Sequence, residues 1–238
     1  MGLVSGYPLS AKTCADLEVE GSITLDEGQF LLSLCNNAST MFITSYIAIS
    51  NLKMPAHQYE ILGIIYLSAF ISAYLYRLFK FTRRKGTSKL KEKHIPALGI
   101  TELNERTKKL DFHLIDEAIL DGFEVITKIG GYIILFSILA TIIKTLGNDN
   151  SFIKLIIVGF LEITTGIDII SHSALNASKK IVLIIAVTAF GGLSSVAQTK
   201  SVMDHSRLSI VTYFKVKLLN TFIAFILGSL YVTLFLKQ

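Results

Sequence analysis

Charge is scarce in this chain, and so are the side-chain groupings that most soluble activities need. Only 17% of its 238 residues are charged and 51% are hydrophobic, with a mean hydropathy of +0.56. An ordinary soluble domain carries about a quarter charged residues. Two cysteines, Cys14 and Cys35, are too few for a disulfide scaffold, and both sit in apolar or membrane-edge context where packing is the default role. The five histidines are scattered, so no metal-ligand spacing emerges and no metal is expected. A Walker-type phosphate loop is missing, which argues against ATP-driven work. Asp204-His205 stands beside Arg207 as a solvated turn with no activated Ser or Cys near it in sequence. The chain therefore reads as no enzyme, with no catalytic residues and no cofactor.

The start lacks a cleavable signal peptide, because Gly2-Leu3-Val4-Ser5-Gly6-Tyr7-Pro8 has neither a basic region nor a sustained apolar core. It lacks a myristoylation site too, since Gly6 stands where Ser or Thr is needed. An opening placed directly on a motif leads to the expectation that a preceding membrane portion lies upstream or comes from a partner chain.

What the chain has is apolar length. Ile61–Tyr76, Ile181–Thr199 and Leu218–Leu236 carry no charge, and Ile129–Ile143 is bracketed by Lys128 and Lys144, whose stems can snorkel to the interface. The alternative is a set of buried helices in a soluble core, which this apolar content disfavours. An all-α polytopic membrane protein is expected, with the lipid bilayer as its first partner.

The net charge of +5 comes mainly from one region. Arg77, Lys80, Arg83, Arg84, Lys85, Lys89, Lys91 and Lys93 follow the first span, and Arg106, Lys108 and Lys109 precede the next helical stretch. The positive-inside rule places this segment, residues 77–109, in the cytoplasm, beside anionic lipid. Binding of nucleic acid is not expected. Residues 111–125 then alternate apolar and acidic positions and read as an amphipathic surface helix.

The apolar segments are interrupted twice in each half. The first half holds Ser5-Gly6-Tyr7-Pro8 and Cys35-Asn36-Asn37; the second holds Glu162-Ile163-Thr164-Thr165-Gly166 and Gly191-Gly192-Leu193-Ser194-Ser195. Pro8 suits a first-turn position for a helix over 8–20, in which Lys12 and Asp16 have i,i+4 spacing. Thr24 with Glu27 matches a capping box for a helix starting near Leu25. Asn36-Asn37 interrupts that helix, which resumes over 39–50. Phe152–Leu161 spans only about 15 Å if helical, half the hydrocarbon thickness, so it stops midway or forms one arm of a re-entrant hairpin. The last span follows Lys215 and Lys217.

Helix ends inside lipid must have their backbone groups satisfied by protein, water or ligand, so the interruptions are the site candidates. Glu162 stands out, because a lone carboxylate in hydrocarbon costs several kcal/mol. It is expected to face a polar cavity with Thr164, Thr165 and Asp168; the alternative is an interfacial cap or a pair with Lys154, Lys12 or Lys180. Asn36 and Asn37 offer donors and acceptors suited to a neutral polar ligand such as a nucleobase or ribose. Ser194, Gln198 and Thr199 supply similar chemistry, and Gly191-Gly192 permits close backbone approach. The proposed substrate-binding set is thus Asn36, Asn37, Glu162, Thr165, Ser194 and Gln198. Small polar residues serve helix packing equally well.

Each half runs from a Gly-containing break through a second interrupted helix to a continuous span. The intervals, about 30 residues from Gly6 to Asn36 and about 26 from Gly166 to Gly192, roughly agree. A degenerate internal repeat is expected, with substrate between discontinuous helices. The organisation reads as a first membrane half at 1–80, a basic cytoplasmic loop at 81–110 and a second half at 111–238.

Gly2-Leu3-Val4-Ser5-Gly6-Tyr7-Pro8 with Ala11-Lys12, then Leu31-Leu32-Ser33-Leu34-Cys35-Asn36-Asn37 with Phe42-Ile43, resembles the YlbJ-type sporulation integral membrane proteins. Glu162-Ile163-Thr164-Thr165-Gly166-Ile167 and Gly191-Gly192-Leu193-Ser194 with Ala197-Gln198 resemble the second half of the same pattern. That group is part of the wider nucleoside-recognition or Gate-domain group, similar also to the membrane portions of ferrous-iron and concentrative nucleoside transporters. The resemblance covers nearly the whole chain and implies a protein of spore formation and cortex assembly with a transporter-like cavity of unsettled substrate. It implies as partners a small polar solute such as a nucleoside, and a homo-oligomer or other sporulation membrane proteins. The other implied role is a non-transporting scaffold or partner subunit. Three positions depart from the pattern: Ser10 replaces a usual glycine, Thr40 a usual proline, and Val196 a histidine that would have offered a donor and an acceptor.

Overall fold

The computed structural model describes residues 5–85, 112–145 and 152–236, and all regular elements among them are helical. The greater part of the basic segment and the polar turn at 147–151 lie outside the described residues. Helix α1 is Leu9–Val19, α2 Leu25–Cys35 and α3 Phe42–Asn51, a wide segment of π-helical turns. After a short 3₁₀ turn at Pro55–His57 come α4 (Gln58–Lys85) and α5 (Phe112–Thr145). The remainder is α6 (Phe152–Leu161), α7 (Ile163–His172), α8 (Ala177–Phe190), α9 (Gly192–Val202) and α10 (Ile210–Phe235).

Four stretches are long and apolar enough to cross a membrane: Pro55–Lys80, Ala118–Thr145, Ala177–Val202 and Ile210–Phe235. The protein is an all-α polytopic membrane protein. Burial orders these spans. Ala177–Val202, made of α8 and α9, is mostly buried and central, whereas the α5 span is mostly exposed and peripheral.

Polar pairs mark the two ends of the bundle. At one end Lys80 meets Asp26 at 2.5 Å, Arg207 meets Glu18 at 2.6 Å and His205 meets Asp16 at 2.9 Å. At the other, Tyr231 bonds His57 at 2.8 Å, and Ser171 donates to Asn51 at 3.2 Å. Helix α1 therefore runs from the interior to the Asp26 end and α2 returns inward. Helix α3 continues to the His57 end. From that end α6 runs inward and α7 runs back, a hairpin of two ten-residue arms, each about 15 Å long.

Local chemistry explains these starts and stops. Thr24 and Glu27 form the capping box, with the Glu27 amide donating to Thr24 Oγ1 at 3.3 Å and the Thr24 amide to Glu27 Oε2 at 2.9 Å. Those bonds from the Thr24 amide and hydroxyl hold the Glu27 carboxyl below the usual carboxylate range. Gly191 ends α8 at φ +89 and Gly192 follows at φ +82, a left-handed pair that L side chains rarely adopt. The principal core is an isoleucine-rich cluster that joins α3, α4, α7, α8 and α10, including Ile43, Ile61, Ile167 and Ile184. A second cluster, with Ala11, Leu32, Val202 and Tyr213, joins α1 and α2 to α9 and α10.

Residues 112–125 lead into the next span as the start of the continuous helix α5, with Ile119, Leu120 and Phe123 exposed along it. Two expectations are corrected. Lys12 pairs with Asp121 at 3.3 Å rather than with Asp16, which is taken by His205. The last span begins at Ile210, capped by Ser209, so Lys217 lies two turns inside it rather than ahead of it. The helix packing is consistent with internal pseudo-symmetry.

Candidate functional site

The interruptions from both ends of the bundle converge on one cavity of about 190 Å³. Its wall takes Gly6 and Tyr7 from the lead into α1, Ser39 from the lead into α3 and Phe42 from its first turn, Glu162 and Thr164 from the hairpin tip, and Ser194, Ser195 and Gln198 from α9. Ile129 and Ile133 of α5 close one flank. The parts are locked together by backbone contact. The Tyr7 amide donates to the Asn37 carbonyl at 2.9 Å, and a Cβ on Gly192 would come within 3.2 Å of the Ile163 nitrogen and the Leu161 carbonyl.

Glu162 is 1% exposed and caps α7. Its carboxylate accepts from the Thr164 amide at 3.1 Å, the Thr165 amide at 2.7 Å and the Thr164 hydroxyl at 2.5 Å. Three donors at a helix N-terminus are the setting in which a buried carboxylate is tolerated. Two of the lysines considered as its partner are engaged elsewhere: Lys12 pairs with Asp121 and Lys180 donates to the Ser171 carbonyl at 2.7 Å. Across the cavity, Gln198 donates to Ser194 Oγ at 3.0 Å and Ser195 to the Gly192 carbonyl at 2.9 Å. The first turn of α9 has no side-chain cap.

Of the six residues singled out in sequence, Glu162, Ser194 and Gln198 line the cavity. Asn36 and Asn37, 0% and 2% exposed, sit behind the wall. Asn36 donates to Thr199 at 2.8 Å and Tyr213 at 2.9 Å; Asn37 donates to the Leu34 carbonyl and accepts from Lys217 at 2.7 Å. Thr165 gives its amide to Glu162 while its hydroxyl reaches Ser137 at 3.4 Å. Asp168 is separated from Glu162: it pairs with His172 at 3.3 Å on the rim of a different cavity, of about 560 Å³.

Sequence reasoning missed Lys217 and gave Tyr7 no role. Lys217 looked like a flanking charge, although Ser209 three residues before Thr212 is an N-cap signal that moves the helix start ahead of it. Among the described residues no grouping of three or more His, Cys, Asp or Glu could hold a metal ion. Mixed hydroxyl, amide, carboxylate and aromatic groups around a small space suit a small polar molecule.

Comparison with known proteins gives a distant homologue. The chain is 24% identical over 249 aligned residues to the sporulation integral membrane protein YlbJ of Bacillus subtilis (strain 168). The match covers 92% of this chain and 59% of that protein, so the chain spans about three-fifths of the length of its relative. No family model and no solved structure matches.

Proposed function

We propose that this chain forms the core of a solute-handling membrane protein of spore formation, with the cavity at the hairpin tip as its solute site. Glu162, Ser194 and Gln198 contact the solute in this reading. Asn36, Asn37 and Thr165 hold the wall in place behind them. The observation that carries it is the meeting of interrupted helices from opposite ends of the bundle at one cavity whose wall holds Glu162, Ser194 and Gln198. Carriers use such helices to place binding groups near the bilayer midplane. The spore context draws on the distant YlbJ homology, and the volume of about 190 Å³ suits a small polar solute, a nucleoside among them. The two halves act in it as diverged copies, with the basic segment at 77–109 in the cytoplasm.

Thiol labelling tests the site. With Cys14 and Cys35 replaced by Ala, Ser39→Cys and Ser194→Cys should react with a small charged, membrane-impermeant reagent from at least one side of sealed vesicles. Ala69→Cys, buried between helices away from the cavity, should not. Unreactive thiols at both cavity positions would overturn the wet site.

A partner-subunit reading draws on the exposed apolar run Ile119, Leu120, Phe123 and Ile126 along α5. In that reading the run holds another membrane protein of spore assembly or a second copy of this chain. Replacing Leu120 and Phe123 with Ala then lowers partner recovery while leaving cavity labelling intact.

A further inference from the structure

Lys217 is 2% exposed within the spanning part of α10. Its ammonium faces neutral oxygens: Asn37 Oδ1 at 2.7 Å and the Ala189 carbonyl at 3.5 Å. The Tyr213 ring lies 5.6 Å from Nζ, and among the described residues no carboxylate pairs with it. Ala189 is in the last turn of α8, where carbonyls lose their helical partners and the helix dipole is negative. Asn220, almost one turn beyond Lys217, donates to the same carbonyl at 3.0 Å. The Oδ1 atoms of Asn220 and Asn36 are buried acceptors with no partner of their own.

Neutral amide and carbonyl oxygens at the carbonyl end of an interrupted helix are the donor chemistry of a monovalent metal ion. Hard oxygen ligands suit alkali cations rather than softer metals, and half-helix C-termini are where carriers hold them. Here a side chain supplies the positive charge instead. We propose that Lys217 is a tethered cation filling a monovalent-metal site, so that the break at Asn37 and the break after Phe190 are joined without sodium or potassium from solution. The assignment is independent of whether the neighbouring cavity binds a solute.

Thermal unfolding of the purified full-length protein in NaCl, KCl and choline chloride at equal ionic strength tests it. The wild type should have the same midpoint in all three salts. Lys217→Ala removes the charge and leaves room; its midpoint should fall in choline chloride and rise by at least about 2 °C when NaCl or KCl replaces it. Lys217→Met fills the space without charge and should show no such rise. A wild type stabilised by sodium or potassium over choline would overturn the proposal, as would a Lys217→Ala protein indifferent to the cation. Should Lys217→Ala fail to be recovered in choline chloride, monodisperse yield after extraction becomes the readout. Higher yield in NaCl or KCl supports the site, and equal or absent yield in all three salts overturns it.

Discussion

Gly166 and Gly159 pack backbone to backbone across the α6–α7 hairpin, so tightly that a Cβ on Gly166 would stand 2.3 Å from the Gly159 Cα. That approach brings the two short arms together and delivers Glu162 to the cavity. Gly166→Ala should therefore force the arms apart, costing about 3 kcal/mol or more, beyond the usual overpacking penalty because backbone rather than a side chain must move. Gly63→Ala in α4, where nothing lies within 4 Å of the added carbon, should be neutral or stabilising by about 0.5–1 kcal/mol. Unfolding midpoints of both variants in detergent check the contrast; equal midpoints would remove the hairpin argument.

Asn37 and Lys217 form the second prediction. Asn37→Leu removes the better acceptor of a buried ammonium and should cost about 1.5–3 kcal/mol, the range for a hydrogen bond to a charged group. Lys217→Met in that background removes the stranded charge as well, so the double variant should lose less than the two single losses combined. A double-mutant cycle on unfolding midpoints measures the difference, and strict additivity would show that the two groups do not interact.

Features decided within one turn of chain were legible in sequence. Thr24 and Glu27 cap α2 as their spacing implied, and Asn36-Asn37 and Gly191 interrupt helices at the positions their chemistry marked. Glu162 was conspicuous because a lone carboxylate in an apolar run is costly, and the structure holds it at a helix N-terminus. Features decided by distant partners were not legible. Lys12 has two acidic residues within reach of a helical argument or a tertiary one, and only packing selects Asp121. Lys217 and Lys215 share a short polar stretch, yet α10 turns Lys217 into the core and leaves Lys215 exposed. Asn37 looked like a ligand contact because its intended partner lay 180 residues away.

The capping box gives a pH prediction. Because the Glu27 carboxyl titrates below the usual range in the folded protein, the unfolded chain binds its proton first as pH falls. The stability from this cap is complete above the unfolded carboxylate value of about 4.3 and is lost as pH drops through the lower folded value. The unfolding midpoint of Glu27→Gln should lie below that of wild type near neutral pH, with the gap closing toward acid. A gap that stays constant from neutral pH to well below 4 would mean that ionisation of Glu27 plays no part in the cap.

Glu162 separates structure from function through two substitutions. Glu162→Ala removes every acceptor offered to the Thr164 and Thr165 amides, and should cost about 1–2 kcal/mol as a lost N-cap. Glu162→Gln keeps a carbonyl oxygen for the Thr165 amide and the Thr164 hydroxyl but gives up the bond from the Thr164 amide; it should cost about 1 kcal/mol, while removing the negative charge that faces the cavity. If the carboxylate serves a solute, the glutamine protein should be folded and inserted yet fail to support spore maturation when it replaces the complete wild-type protein in a spore-forming host. A glutamine variant that matures spores as the wild type does would leave Glu162 as a cap alone, and the site would then have to be sought among the hydroxyls and amide of Ser194, Ser195 and Gln198.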